Sequence, residues 1–288
     1  MNRACAACVL MGAAGFVLPA QTLTTLHNFS GAYGGGPYAG LVQASNGNFY
    51  GTTIYGEEWG GGAAFEITPA GDFTALYAFC QDCTPNAGTV PYAGLVQSAS
   101  GSSYGAAGGG GFYGHGAVFA VTTSGAVSAV YGFCAQAGCP DGNDPHGTLV
   151  SGSDGNLYGT TTEGGAAENG TVFQLTPAGA LKTLYSFCSQ PGCADGSSPF
   201  AGLVQASDGN FYGSTQKGGA HGEGTVYRIT PAGTLTRLYS FCSQSGCADG
   251  GYPKAALIEG RDGYLYGRRS TAARMLEERS SSSPVTAV

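Results

Sequence analysis

Five residues at one fixed interval are the strongest candidates for chemistry in this chain. Each follows a proline, and successive members are 54 residues apart: Tyr38, Tyr92, His146, Phe200 and Lys254. Aromatic rings stack on sugars and other flat ligands, and an imidazole can act as a general base. Equivalent positions of a propeller repeat meet around one axis, so these five are expected to line one rim of a central channel. The alternative is that they pack between neighbouring repeats.

His146 is the candidate catalytic residue. The segment Pro145-His146-Gly147, followed by residues 153–158, resembles streptogramin lyases, which are propeller enzymes. That resemblance implies that His146 serves as a general base or as a neighbour of a metal ion. The lyases' partner histidine has no match, because His27, His115 and His221 fall at non-equivalent repeat positions. Their paired carboxylates have no match either, because Glu163 and Glu223 lie in hairpin loops. We therefore predict no catalytic site, and the alternative is a lyase or glycan-active hydrolase that uses His146.

Eight cysteines form four close pairs, each at the end of a repeat: Cys80/Cys83, Cys134/Cys139, Cys188/Cys193 and Cys242/Cys247. Local disulfides are the natural pairing in an exported chain, whereas a zinc site would need thiolates that converge from separate repeats. Closing so short a loop contributes about 2 kcal/mol in the chain-entropy model. The sequence predicts four disulfides, no metal site and no cofactor.

An Asp-Gly pair recurs just after three of these cysteine pairs, in the connection to the next repeat, at Asp141, Asp195 and Asp249. Calcium prefers several carboxylate and carbonyl oxygens, and one aspartate per loop supplies too few of them. We expect these aspartates to shape turns.

All of these residues belong to a sequence repeat, and the fold of that repeat determines where they lie. Five Tyr-Gly pairs keep the same 54-residue spacing, at Tyr50, Tyr104, Tyr158, Tyr212 and Tyr266. In the third copy, turn signals separate four short apolar stretches: Thr148–Val150, Leu157–Thr161, Thr171–Leu175 and Leu181–Phe187. Asp154-Gly155 and Pro177-Ala178-Gly179 are typical of tight turns between antiparallel strands.

These stretches predict an all-β fold, because no segment has the apolar spacing of a helix. Four short strands per repeat of this length describe a blade of a β-propeller. Counting from the repeat prolines gives four complete blades and a partial fifth that begins at Pro253. The stretch Thr22–Phe29 matches a fourth strand and is expected to complete the last blade, which would remove an exposed edge.

Three segments are predicted along the chain. Residues 1–20 have a basic residue followed by an apolar run, as a secretory signal peptide does, with an uncleaved anchor as the alternative. Residues 21–267 form the repeat domain. Residues 268–288 depart from the repeat and are either a polar tail or a frameshifted continuation of blade five. Codons compatible with this tail can encode Gly-Thr-Val-Phe-Lys-Leu in another frame, in register with Gly170–Leu175.

The composition of the chain argues against two classes of binding partner. The net charge is −7, only 10% of the residues are charged, and no basic stripe occurs. Nucleic acids and anionic membranes are therefore excluded as expected partners.

Residues 202–213 and 224–231 carry a unit that resembles the GloVer tandem repeat of exported and surface bacterial proteins. The resemblance spans Thr22–Gly267 and implies an exported, propeller-like protein with varied C-terminal anchoring and no assigned activity. We expect this chain to differ in lacking a C-terminal anchor. We predict a secreted or cell-surface binding or scaffold module, without catalysis and without a membrane span after signal cleavage. Its expected partner is a glycan or a protein.

Overall fold

The structure, a computed structural model, describes five stretches of the chain: residues 24–29, 35–56, 60–80, 86–98 and 100–268. These stretches contain eighteen β-strands and two single 3-10 turns, with no α-helix among them. The strands form four antiparallel sheets of four strands and one sheet of two strands. The predicted all-β fold with four complete blades and a partial fifth is confirmed. The expected signal peptide and nearly all of the tail lie outside the described residues.

Each complete blade is a meander in which strands one to four pair in chain order. Blade one comprises β1 (Val42–Gln43), β2 (Phe49–Thr53), β3 (Ala63–Ile67) and β4 (Phe73–Ala78). Blade two comprises β5 (Val96–Gln97), β6 (Ser103–Ala107), β7 (Ala117–Val121) and β8 (Val127–Gly132). Blade three comprises β9 (Val150–Ser151), β10 (Leu157–Thr161), β11 (Thr171–Leu175) and β12 (Leu181–Ser186). Blade four comprises β13 (Val204–Gln205), β14 (Phe211–Thr215), β15 (Thr225–Ile229) and β16 (Leu235–Ser240), and blade five β17 (Ile258–Glu259) and β18 (Leu265–Tyr266).

The turn between strands one and two explains the strongest sequence motif. In blade three, the Asp154 carboxylate accepts hydrogen bonds from the Asn156 backbone N–H at 3.1 Å and from the Tyr158 hydroxyl at 2.8 Å. Gly155, at φ 80°, supplies the left-handed position of the turn. One carboxylate thus ties the turn to strand two, and Asp208 and Tyr212 repeat the arrangement in blade four.

Antiparallel pairing gives each blade two different ends. The tight turns between strands one and two, and between strands three and four, lie at one end, which we call the turn end. The start of strand one, the longer link between strands two and three, and the cysteine-containing connection to the next blade lie at the opposite end. We call this second end the loop end, and all five candidate rim residues belong to it.

The core lies between the blades. One cluster joins Tyr50 and Phe79 of blade one to Leu95 and Phe119 of blade two, and three similar clusters follow. At each junction the aromatic residue that follows strand four meets the strand-three aromatic of the next blade. The ring centroids are 4.8, 5.2 and 5.1 Å apart in these pairs: Phe79–Phe119, Phe133–Phe173 and Phe187–Tyr227.

The N-terminal segment, residues 24–29, occupies the place of a fourth strand in front of blade one. Phe29 lies 5.0 Å from Phe65, the same contact that joins the later blades. A Cβ placed on Gly71 would lie 2.8 Å from the Leu26 carbonyl oxygen, as one on Gly179 would from the Val130 carbonyl oxygen. The segment thus packs against blade one as a preceding fourth strand would. Its completion of the last blade stays a prediction, because the described residues include no strand pairing between it and blade five.

Candidate functional site

The five candidate residues form a continuous row at the loop end, which we call the rim row. The Tyr38 and Tyr92 ring centroids are 6.0 Å apart, and Tyr92 and His146 are 4.6 Å apart. His146 stacks on Phe200 at 4.6 Å, and the Lys254 Nζ lies 5.7 Å from the Phe200 ring centroid. The structure therefore brings all five together, each in contact with its neighbour from the adjacent blade.

Exposure differs along the rim row. Tyr38 is 74% exposed, and Lys254 at the other end is also exposed. Tyr92, His146 and Phe200 are half-buried, because each packs against a ring on both sides or against a ring and a cation. Packing between blades thus applies to the three middle members of the row, whereas Tyr38 and Lys254 are exposed to solvent.

His146 is held by an acidic residue from its own loop. Its Nε2 lies 3.0 Å from Asp144 Oδ1, and the Thr162 hydroxyl donates to Asp144 Oδ2 at 2.8 Å. The pairing orients the ring with Nε2 toward the carboxylate, while Nδ1 is buried and has no hydrogen-bond partner among the described residues. The side chain is 13% exposed, and rings cover both of its faces.

The residue before each repeat proline helps to position the rim row through its backbone. The sequence did not predict this role. Val90, Asp144, Ser198 and Tyr252 all have positive φ, between 51° and 59°. The Asp144 N–H donates to the His115 carbonyl in blade two, and the Asp144 carbonyl accepts from the Thr162 N–H in blade three. The left-handed residue thus joins two blades and fixes the start of the next. In blade one the equivalent residue is Gly36, which also has positive φ. A glycine at this position is the one feature of the sequence that indicates a left-handed backbone there.

The cysteine-containing connections also lie at the loop end. Disulfides join Cys134–Cys139, Cys188–Cys193 and Cys242–Cys247, three of the four predicted pairs. Cys83 falls outside the described residues, so the predicted Cys80–Cys83 pair stays a prediction.

The aspartate in each connection has a structural role. Asp195 Oδ2 accepts from the Tyr185 hydroxyl at 2.7 Å and from the Ser189 N–H at 3.0 Å. Burial pushes the pKa of Asp195 upward, but these hydrogen bonds outweigh it and hold the pKa below its usual value. Burial and the same carboxylate raise the pKa of Tyr185 to about 12. Asp249 makes the equivalent contacts in blade four, so these carboxylates close loops, as the sequence indicated.

One group of potential metal ligands occurs among the described residues. His115, Cys134 and Cys139 have ligand atoms within 4.8 Å of one another. Both sulfur atoms are joined in a disulfide, so the group offers no thiolate to an ion.

An all-β array of four-stranded blades, with an aromatic row at one end, defines a β-propeller-like repeat protein. The chain belongs to the Gloeobacter/Verrucomicrobia repeat family, whose model matches residues 14–205 and 82–274. The family predicted from the repeated motif is thereby confirmed. No curated protein matches the chain significantly.

Solved structures resemble the fold at low sequence identity. The extracellular domain of a one-component system from B. thetaiotaomicron has a TM-score of 0.55 and 9% identity, over 84% of this chain and 28% of that chain. A protein assigned as a gluconolactonase has a TM-score of 0.47 and 16% identity, over 81% of this chain and 71% of that chain. A glucose dehydrogenase has a TM-score of 0.46 and 15% identity, over 83% and 80%. Within the described stretches, no helix is long and apolar enough to cross a membrane.

Proposed function

We propose that this protein is an exported, non-catalytic binding module whose loop end binds a glycan. The rim row supports the proposal, because four aromatic rings and a lysine follow one another there in contact distance. Sugars present flat apolar faces to aromatic rings and hydroxyl groups to charged side chains. Tyr38, with its ring 74% exposed, is the member best placed to contact such a ligand directly.

Export is part of this proposal. Three disulfides among the described residues are typical of oxidising compartments, and the first 20 residues have the composition of a signal peptide. Recovery of the mature protein from the medium or cell surface, with its N-terminus near Gln21, is the expected outcome. A protein that stays inside the cell with free thiols would contradict it.

Substitution at Tyr38 tests the glycan site. In a glycan array followed by titration calorimetry, Tyr38→Ala should weaken binding at least about tenfold, as loss of a stacking ring does. Tyr264→Ala is the matched control, since Tyr264 is 39% exposed but lies at the turn end. Equal affinity of the two variants would place the glycan elsewhere. Binding of a protein and of no glycan would overturn the ligand class.

An enzyme that uses His146 remains the second candidate, because its Nδ1 has no partner among the described residues and Asp144 orients the ring. The covered ring faces favour a packing role, since a general base must reach the proton that it removes. His146→Phe keeps a ring in the row but removes both nitrogens. A binding module should retain its affinity in this variant, whereas a lyase or hydrolase should lose turnover.

A further inference from the structure

The cysteine-containing connection that follows blade two has a histidine beside its two sulfur atoms. One ring nitrogen of His115 and the Sγ atoms of Cys134 and Cys139 all lie within 4.8 Å of one another. Among the described residues, no other three ligand atoms of this kind come so close together. Thiolate sulfur and imidazole nitrogen are ligands that zinc prefers. The three residues therefore have the composition of a zinc site whenever the two sulfur atoms are not bonded to each other.

The two other disulfide-containing connections lack the third ligand. The residue equivalent to His115 is Asn169 in blade three, and its side-chain amide donates to the Ala167 carbonyl at 2.5 Å. In blade four the equivalent residue is Glu223, whose Oε1 accepts from the Tyr252 hydroxyl at 3.1 Å. Blade two thus differs from blades three and four in one ligand, and the repeat itself supplies two matched comparisons.

Backbone hydrogen bonds hold the three residues in place. The His115 carbonyl accepts from the Asp144 N–H at 3.1 Å, and the Cys134 N–H donates to Asp141 Oδ2 at 3.0 Å. The Cys139 carbonyl accepts from two backbone N–H groups, at 2.8 and 2.9 Å. None of these hydrogen bonds involves a sulfur atom. They can therefore keep the ligands close together after the bond between the sulfur atoms is broken.

The site is open to solvent and has an unused acceptor nearby. The His115 side chain is exposed, and both cysteines are half-buried. Asp141 Oδ1 is buried and has no hydrogen-bond partner among the described residues, whereas the Oδ1 atoms of Asp195 and Asp249 accept from backbone N–H groups at 3.3 and 3.2 Å. Three protein ligands leave the fourth position of a tetrahedral zinc ion to water, and Asp141 Oδ1 is an acceptor for that water.

We propose that the reduced protein binds one zinc ion through Cys134, Cys139 and His115, and that this ion and the disulfide exclude each other. A dithiol reductant supplies the two electrons and two protons that convert the disulfide into two thiols, and is itself left as a disulfide. Zinc binding then releases the two protons, because the ion binds thiolates. Since zinc binds only the reduced form, it should make this disulfide easier to reduce than the other two.

Protection of cysteines from alkylation tests the site in the full chain. The protein is reduced with a phosphine, which brings no competing thiol, and is treated with iodoacetamide with and without Zn²⁺. Mass spectrometry then gives the rate of alkylation at each cysteine. Zinc should slow alkylation of Cys134 and Cys139 at least about tenfold and leave the cysteines of blades three and four unchanged. Equal protection of all three pairs, or protection of none, would overturn the proposal.

Three variants assign the third ligand. His115→Asn gives blade two the residue of blade three and should abolish the protection, and the oxidised protein should keep its thermal midpoint because this side chain is exposed. His221→Asn is the matched control, since His221 is an exposed histidine in the corresponding link of blade four, and it should preserve the protection. Asn169→His should extend the protection to the cysteines of blade three. Protection that survives His115→Asn would contradict the assignment.

Discussion

In the four complete blades, the glycine of the Tyr-Gly pair leaves room for an aromatic ring from the neighbouring strand. At Gly159, a Cβ would lie 2.5 Å from Phe173 Cζ and 2.7 Å from the Leu149 Cδ2. Phe173 is fully buried and Leu149 nearly so, and neither ring nor methyl group can move without opening the junction between blades. Close approach, rather than backbone conformation, explains why the repeat uses glycine at this position.

Gly159→Ala should therefore destabilise the protein by about 1–3 kcal/mol, the usual range for overpacking a core. Urea unfolding followed by circular dichroism measures the change. Gly40→Ala is the control, because none of the described residues lies within 4 Å of a Cβ placed at Gly40. This variant should alter the free energy of unfolding by less than about 0.5 kcal/mol. Equal effects of the two variants would show that the ring is not confined.

Acid should weaken the connections between blades. The pKa of Asp195 lies below its usual value in the folded state, because hydrogen bonds from Tyr185 and Ser189 outweigh the effect of burial. A carboxyl whose folded pKa is depressed contributes stability above its unfolded pKa, near 4, and loses it as the pH falls through the folded pKa. The stability of the protein should accordingly decline below about pH 4.

Asp195→Asn tests this assignment. The variant should be about 1–2 kcal/mol less stable at pH 7, as expected for loss of charged hydrogen bonds, and its stability should depend less on pH between about 2 and 4. Glu168→Gln, at an exposed carboxyl in the link between β10 and β11, should leave the acid transition unchanged. A pH dependence identical in the wild type and Asp195→Asn would exclude Asp195 as its source.

At the scale of the elements, the residue before each repeat proline has a left-handed backbone conformation and lies where one blade connects to the next. Val90 has φ 56°, a conformation that costs a β-branched residue about 1–2 kcal/mol. Its N–H still donates to the Gly61 carbonyl at 2.7 Å, so the inter-blade contact is kept despite the strain.

Val90→Asn should stabilise the protein by about 1 kcal/mol, because Asn tolerates the left-handed region and the backbone hydrogen bonds are unaffected. The thermal midpoint should rise by a few degrees in calorimetry. Val96→Asn, in the extended strand β5 of the same blade, is the matched control and should lower the midpoint. A fall in both variants would mean that packing of Val90 outweighs its backbone strain.

The disulfides act on the same connections. Cys188→Ser with Cys193→Ser should cost about 2 kcal/mol, since the bond closes a loop of about six residues. Chemical denaturation with and without a thiol reductant measures this, and the reductant should have less effect on the double variant than on the wild type. If full reduction left the denaturation midpoint of the wild type unchanged, the disulfides would not contribute to stability. The hydrogen bonds of Asp195 would then be what stabilises these loops.

The sequence predicted the relative positions of those residues that the 54-residue repeat relates to one another. Equal spacing of Tyr38, Tyr92, His146, Phe200 and Lys254 placed them at equivalent points, and the structure brings them together. Spacing could not reveal that His146 pairs with Asp144, because that contact depends on a left-handed backbone at a position whose residue type changes from blade to blade. Nor could it show how much of each ring is exposed, which packing between blades determines.

At the scale of the whole molecule, each junction between two complete blades contains a buried contact between the aromatic residue after strand four and the strand-three ring of the next blade. Among the described residues, each core cluster joins two blades that are consecutive in the chain, so we expect each junction to contribute its own term to the free energy of unfolding, as in other repeat proteins. The junction of blades two and three depends on Phe133, which is fully buried and lies 5.2 Å from Phe173.

Phe133→Ala should cost about 3–5 kcal/mol and should also divide the array. Since the lost contact joins two blades rather than two strands of one blade, blades one and two should unfold at lower urea concentration than blades three and four. Hydrogen exchange measured by mass spectrometry at increasing urea resolves the two halves. Tyr113→Ala, at a ring 53% exposed in the same blade, should preserve a single transition. If Phe133→Ala also unfolds in one transition, cooperativity extends beyond neighbouring blades, and the loss of one junction would then destabilise all the blades together.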